Sequence, residues 1–155
     1  MNEKSNSLMM SYRGFSLFEL LVTVALLAII AAVAMPSYRA YLVRADRADA
    51  KSVLSEAGVW LERNYTSSGC YNRTSVATCA SQAGVDLALP FAQAPKSGTA
   101  KYAIAVAFAN SGQSYTLSAT PTGGFADAEC GVLSLNQTGT QSVSGTASVA
   151  TCWQK

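Results

Sequence analysis

Residues 20–35 form a single apolar run, in which Thr23 is the one residue with a polar side chain. An acid, Glu19, stands at the front of the run, and a charged side chain at bilayer depth costs about 2.5–3.5 kcal/mol on insertion scales. The stretch from Phe15 to Met35 has roughly the 20 residues that a transmembrane helix needs. The sequence therefore predicts a membrane-length helix, and the acid inside it is expected to have a use.

Three interpretations of this segment are open. Ala32-Val33-Ala34 offers the cleavage site of a secretory signal peptide, but Glu19 interrupts the apolar core and Pro36 follows that site closely. A plain membrane anchor fits the length, although basic residues on both flanks leave its orientation undecided. The third interpretation rests on a motif.

The motif Gly14-Phe15-Ser16-Leu17-Phe18-Glu19-Leu20-Leu21 resembles the prepilin cleavage motif of the type IV pilins, and Pro36 falls where that family has a helix-kinking proline. The resemblance covers residues 13–65 and is looser beyond them. It implies cleavage after Gly14 by a prepilin peptidase and N-methylation of the new N-terminal residue, Phe15. It also gives Glu19 a role in assembly and register.

Elementary chemistry supports these roles. After cleavage, the free amine of Phe15 would lie one helical turn from Glu19, whose carboxylate can neutralise it or reach the amine of a neighbouring chain. A buried ion pair of this kind fixes register more reliably than it adds stability. Pro36 lacks a backbone N–H and its ring clashes with the preceding turn, so a kink is expected there.

Four cysteines follow the apolar segment, and an even count in that position predicts two disulfides in an oxidising compartment. Three pairings are possible, and the local ones, Cys70 with Cys79 and Cys130 with Cys152, are favoured. Zinc is disfavoured because no pair has C-x-x-C spacing and histidine is absent. Residues 130–139 and the closing Cys152-Trp153 resemble the C-terminal segment of minor pilins of the PilE class.

The fold class expected is α+β: a long N-terminal helix, transmembrane in its first half and amphipathic in its second, packed on a small antiparallel sheet similar to that of type IV pilins. The helix is predicted from about Phe15 to Asn64, with its charged side chains, Arg47 included, on a solvated face. Alternating runs predict strands at 101–109, 114–120, 131–135 and 141–144. The expected segments are a leader (1–14), a hydrophobic transmembrane and assembly helix (15–36), its amphipathic continuation (37–65), a connecting loop (66–99), and a sheet with a C-terminal disulfide-bounded region (100–155).

Catalytic equipment is missing from the sequence. Without histidine the commonest general base and metal ligand are gone, so an enzyme, a cofactor and a metal are not expected. Asp127 and Glu129 could join a metal site, but two carboxylates in a loop are expected to be solvated. DNA is a possible partner that the charges do not favour, because few cations follow Tyr65 and phosphate contacts supply most of the affinity for DNA.

The leading hypothesis is a type IV pilus subunit, and a minor one, that supports twitching motility, adhesion or DNA uptake. Its expected partners are the prepilin peptidase, other pilin subunits and the inner-membrane assembly machinery. It would lie in the inner membrane as a single-pass protein before assembly, with its C-terminal domain in the periplasm, and in the extracellular pilus afterwards. The alternatives are a DNA-binding competence pilin and a pseudopilin of a type II secretion system.

Overall fold

The structure, a computed structural model, describes residues 14–73, 79 and 87–154. Most of the expected leader and part of the expected connecting loop therefore lie outside the described residues. The chain divides into an N-terminal unit, residues 1–39, and a C-terminal unit, residues 40–155. The expected boundary between the two parts of the helix was 36/37.

One helix, α1 (Leu17–Ser68), has 52 residues. Among the described residues it is the one helix long and apolar enough to cross a membrane. It ends four residues later than expected, at Gly69, whose positive φ of 73° and N–H bond to the Tyr65 carbonyl close the last turn. The helix continues through Ser67 and Ser68, which donate their hydroxyls to the Asn64 carbonyl.

Five strands form one antiparallel sheet whose spatial order follows the chain, so the expected antiparallel sheet is confirmed. The longest pair sets Ile104 opposite Ala119 and Val106 opposite Leu117. The strands are β1 (Gln93–Ala94), β2 (Tyr102–Ala109), β3 (Ser114–Pro121), β4 (Leu133–Asn136) and β5 (Gln141–Val143). Strand β1 was not predicted, because two residues are too few to show an alternating pattern.

The core of the C-terminal unit lies between the sheet and one face of α1. Helix positions three and four residues apart face the sheet. Strand positions two apart meet them, with small alanines on the opposite face of β2. Fully buried residues of this core are Ala50, Leu54, Ala57, Leu61, Tyr102, Leu117 and Leu133. Burial of each Leu stabilises the fold by about 1.5–3 kcal/mol relative to its exposure.

A second helix, α2 (Val149–Trp153), was not expected from the sequence. Ser148 caps it by accepting the Thr151 N–H at 3.2 Å. The helix lies against β5, and Trp153 Nε1 donates to the Ser142 carbonyl at 3.2 Å. Helix α2 and the side chain that follows Cys152 thus pack against the last strand of the sheet.

Candidate functional site

The cleavage motif lies at the start of α1. Gly14 precedes the helix, and no described atom lies within 4 Å of a Cβ built on it. Phe15 has 78% of its surface exposed. Both residues are therefore accessible to an enzyme, and cleavage and methylation stay predictions.

Glu19 lies exposed in the first turn of α1, where the positive end of the helix dipole favours a carboxylate. No cation in the described ranges forms an ion pair with it. Its carboxylate is therefore open to an amine that appears on cleavage or comes from another chain, and its role in register stays a prediction. Pro36 lies inside α1, which continues through it, and the kink likewise stays a prediction.

An ionic cluster of Arg47, Tyr102 and Asp127 is buried in the C-terminal unit. Arg47 Nε donates to Asp127 Oδ2 and Arg47 Nη2 to Asp127 Oδ1, both at 2.8 Å. The same carboxylate accepts the Tyr102 hydroxyl at 2.8 Å and the backbone N–H of Cys130 at 3.1 Å. Four hydrogen bonds thus compensate a carboxylate that has lost its water.

The expectation that these charges lie in solvent was wrong for two of them. Arg47 is 2% exposed and Asp127 is 4% exposed, whereas the side chain of Glu129 remains 72% exposed. A signal for this was present in the sequence. Arg47 precedes Ala50 by three residues and Leu54 by seven, which places it on the buried face of the helix.

The charges in the ionic cluster are fixed rather than poised to exchange protons. Burial acts to raise the pKa of Asp127, but the hydrogen bonds from Arg47, Tyr102 and the Cys130 N–H outweigh it and lower this pKa. The hydrogen bond to Asp127 raises the pKa of Arg47, although burial opposes it. Burial, followed by the bond to Asp127, raises the pKa of Tyr102. The cluster can therefore hold structure but is not suited to acid–base catalysis.

Both disulfides join the cysteine pairs favoured from the sequence, Cys70 with Cys79 and Cys130 with Cys152. Cys130, Cys152 and Cys70 are fully buried. No group of three or more metal-ligating side chains occurs among the residues that the structure describes. The cysteines of the described chain are all in disulfides.

A surface called here the turn edge consists of residues 69–73, 110–114 and 136–140. The first two segments are joined by the Tyr71 N–H, which donates to the Gly112 carbonyl at 2.8 Å, and by Gln113 Nε2, which donates to the Gly69 carbonyl at 2.9 Å. The third pairs with β3 beside them. Gly112 has a φ of 79°, and a Cβ there would lie 2.1 Å from Asn72 Oδ1. Only glycine allows this approach.

Hydroxyl and amide groups dominate the turn edge. Its three segments contain no carboxylate, and exposed positions include Asn110, Ser111, Gln113, Thr138 and Thr140. Beneath it, Tyr71 stacks on Tyr65 with ring centroids 4.6 Å apart. Glu62 accepts the hydroxyls of Tyr71 at 3.1 Å and Tyr115 at 3.4 Å. The turn edge therefore offers hydrogen-bonding groups beside stacked and hydrogen-bonded tyrosine rings.

Comparisons with known proteins point to one family. A family model described as the type IV minor pilin ComP, DNA uptake sequence receptor, matches residues 36–134. The model of the prokaryotic N-terminal methylation motif matches residues 9–35, which include Gly14 and Phe15. No curated protein matches the chain. A solved structure described as a type IV pilin from Shewanella oneidensis is 24% identical, with 63% of this chain and 88% of that chain covered and a TM-score of 0.44.

The ComP match spans well over half of the chain, and the methylation motif covers the apolar segment before it. Together with a long apolar helix and a five-stranded antiparallel sheet, these matches confirm the resemblance drawn from the cleavage motif. The chain belongs to the type IV minor pilins of the ComP class.

Proposed function

We propose that this minor pilin is made as a precursor, cut between Gly14 and Phe15 by a prepilin peptidase, and N-methylated at Phe15. Residues 15–36 then hold it in the inner membrane until the assembly machinery extracts it into a pilus that supports motility, adhesion or DNA uptake. The observation that carries the proposal is Glu19, an acid inside the cleavage motif in a helix segment with no buried side chain.

Membrane residence and assembly make different demands on this segment. Every described residue from Gly14 to Leu42 is exposed, so the structure itself buries none of this apolar surface. Lipid can cover it before assembly and the helices of other subunits can cover it afterwards. A carboxylate adds nothing to membrane residence, because it is costly there, but it can select one axial position by meeting an amine.

The test replaces Glu19 by Ala in the full chain. We expect the variant to fractionate with the membrane as before and to be depleted from sheared pili about tenfold or more, since the charge pair that sets register is gone. Thr23→Ala is the matched control: it removes the other polar side chain of the run, whose hydroxyl already bonds the Leu20 carbonyl within the helix. Normal incorporation of Glu19→Ala into pili would refute the register role.

Membership in a pilus rather than a secretion system needs its own test. Deletion of the gene should abolish or alter piliation and leave the secretion of enzymes intact. Loss of secretion with normal pili would instead identify a pseudopilin.

A second function, DNA binding, is favoured by the description of the matching family as a DNA uptake sequence receptor. The charge argument from the sequence opposed it, and two of the described cations are indeed engaged, Arg47 with Asp127 and Lys96 with Glu56. The three segments of the turn edge, however, contain no carboxylate of their own and carry many groups that donate hydrogen bonds, although the exposed Glu62 lies beside Tyr71. We propose it as the DNA-facing surface.

A gel shift with the fragment from Ser37 onward tests this proposal. We expect a shift at low salt that weakens as salt rises, and a preference for one short duplex over a shuffled one. Thr140→Glu, which adds a carboxylate to the turn edge, should weaken the shift, while Ala48→Glu on the exposed face of α1 should not. No shift at low salt would end the DNA hypothesis and leave the pilus role untouched.

A further inference from the structure

Two cations on one turn of α1 hold the two chain segments that carry Cys130 and Cys152. Arg47 binds Asp127, which precedes Cys130 by three residues. Lys51, four residues after Arg47, donates from Nζ to the Trp153 carbonyl at 3.2 Å, and Trp153 directly follows Cys152. Residues four apart on a helix lie on the same face. The helix therefore contacts each segment within a few residues of its cysteine.

Further contacts place Cys130 without help from the disulfide. The Asp127 carboxylate accepts the Cys130 N–H, and the Gly145 N–H donates to the Cys130 carbonyl at 3.0 Å. The Ala147 N–H donates to the Glu129 carbonyl at 2.9 Å. A Cβ on Gly145 would lie 2.2 Å from the Glu129 carbonyl oxygen. The backbone around Gly145 therefore packs directly on the backbone around Cys130. Cys130 is thus positioned by hydrogen bonds that begin at Arg47.

The two disulfides differ in how much positioning they need. Cys70 and Cys79 are 9 residues apart, whereas Cys130 and Cys152 are 22 apart. The entropic cost of bringing two ends together grows with the length of the loop between them. Four thiols allow three complete pairings, and the longer native loop gains most from contacts that bring its ends together before oxidation.

A buried ion pair is suited to this task. Replacement of such pairs by apolar groups is often harmless to stability, and in some proteins a buried polar group instead specifies one arrangement. The guanidinium of Arg47 binds Asp127 through two parallel hydrogen bonds, a geometry that fixes orientation as well as distance. The ammonium group of Lys51 contacts the Trp153 carbonyl, next to the other cysteine of this disulfide.

We propose that Arg47 and Lys51 are positioning residues that select the Cys130–Cys152 disulfide during oxidative folding. The oxidant is a protein disulfide of the thiol–disulfide oxidoreductase class. One thiolate, from Cys130 or Cys152, attacks that disulfide to give a mixed disulfide, and the second thiolate displaces the oxidoreductase. The two cysteines lose two electrons and two protons, and the oxidoreductase leaves as a dithiol.

The test follows pairing in the reduced full chain in detergent micelles, with an oxidised oxidoreductase as oxidant. Thiols are blocked at intervals and the disulfides are identified by mass spectrometry. For Arg47→Gln we expect the early fraction of Cys130–Cys152 to fall about tenfold, since removal of one partner from a buried pair leaves the other uncompensated. Cys70–Cys79 should form at its usual rate. Arg47→Lys keeps the positive charge but loses the two parallel hydrogen bonds, so its early fraction of Cys130–Cys152 should lie between those of the wild type and Arg47→Gln.

Controls separate positioning from stability. Lys96→Gln removes an ion pair with Glu56 in which both side chains are about half exposed, and it should leave the pairing unchanged. If Arg47→Gln does not fold, Lys51→Met provides a milder variant, with an expected fall of about threefold because Lys51 bonds the Trp153 carbonyl once, whereas Arg47 bonds Asp127 twice. The proposal is overturned if both variants pair their cysteines as the wild type does, even where the oxidised protein has become less stable.

Discussion

The two halves of α1 share a helix but differ in what surrounds their side chains. From Leu17 to Arg39 every residue is exposed, and nearly all are apolar. From Ala40 to Ser68 one face is buried against the sheet, and the opposite face is largely charged or small. The buried positions of this half are Arg47, Ala50, Val53, Leu54, Ala57, Gly58, Leu61 and Ser68.

This difference shows that helix formation and burial are separate problems. Apart from the N–H that Pro36 lacks, both halves make the same kind of backbone hydrogen bond, whereas the stability that comes from tertiary packing exists only where an apolar stripe meets another surface. The second half meets that surface within its own chain. The first half must obtain it from outside, from lipid or from other subunits, and a change in it should alter assembly and not folding.

The largest effect is expected at Gly14, at the entrance to the first half. Gly14→Val should abolish cleavage, since a branched side chain next to the scissile bond should not fit a peptidase that accepts glycine. Immunoblots should show the variant at precursor size, and Thr23→Val, inside the apolar run, should be processed normally. Detection of Gly14→Val at the mature size would show that cleavage does not depend on this motif.

The same substitution in the two halves tests the comparison directly. Leu54 is fully buried and Leu26 is 56% exposed. Leu54→Ala should lower the free energy of unfolding of the C-terminal unit by about 2–5 kcal/mol, through lost contacts and a cavity. Leu26→Ala should change it by less than about 0.5 kcal/mol. Urea unfolding in detergent micelles, followed by the fluorescence of Trp60 and Trp153, measures both, and equal losses would contradict the comparison.

Much of this division was visible in the sequence. Uniform hydropathy before Pro36 and a one-sided pattern after it predicted the two halves, and strict alternation in 101–109 and 114–120 predicted the two long strands. These signals are local, because each depends on side chains only two to four residues apart. The cleavage motif likewise required only neighbouring residues.

The ionic cluster and the turn edge were not predicted, because both depend on residues that meet only in the fold. Arg47 and Asp127 are 80 residues apart, and nothing in a pattern of helical period says which loop will lie over a buried cation. Gln113 contacts Gly69 across 44 residues. The position of Arg47 on the apolar face was the one local clue, and a loop acid as its partner could not be chosen from the sequence.

The C-terminal unit, against which the second half of α1 packs, should also respond to pH. Burial, followed by the charge of Glu62, raises the pKa of Tyr115 to about 12, so the folded state holds this proton longer than the unfolded chain. Its contribution to stability is complete below about pH 10 and is lost as pH rises toward 12. In Tyr115→Phe, the free energy of unfolding that is lost as the pH rises to 11 should be about 1 kcal/mol smaller than in the wild type.

Acid acts on the same unit through Asp127. The pKa of this carboxyl is lowered in the fold, so its contribution to stability is complete above the unfolded pKa of about 4 and is lost as pH falls below that. Thermal unfolding between pH 2 and pH 11 should therefore give a stability plateau with losses at both ends. Equal losses of stability between pH 7 and pH 11 in the wild type and in Tyr115→Phe would exclude the tyrosine as the alkaline group.

The smallest effect is expected at Gly58, a buried glycine inside the packed half. Alanine there should stabilise the helix by about 0.5–1 kcal/mol through its higher helix propensity. The added Cβ would lie 3.4 Å from the Tyr115 hydroxyl, at the close end of ordinary contact, so most of the gain should survive. A melting temperature lowered by Gly58→Ala would show that the second half is packed more tightly than its distances indicate.

The contact between Trp153 and β5 has a consequence for how this protein can be handled. A sheet edge with bare carbonyls is a template on which strands of other molecules can grow. Here α2 packs against β5, the last strand of the sheet, and Trp153 Nε1 donates to the Ser142 carbonyl. Removal of α2 would therefore uncover part of this edge strand, and fibrous precipitation is the outcome to expect from such a fragment.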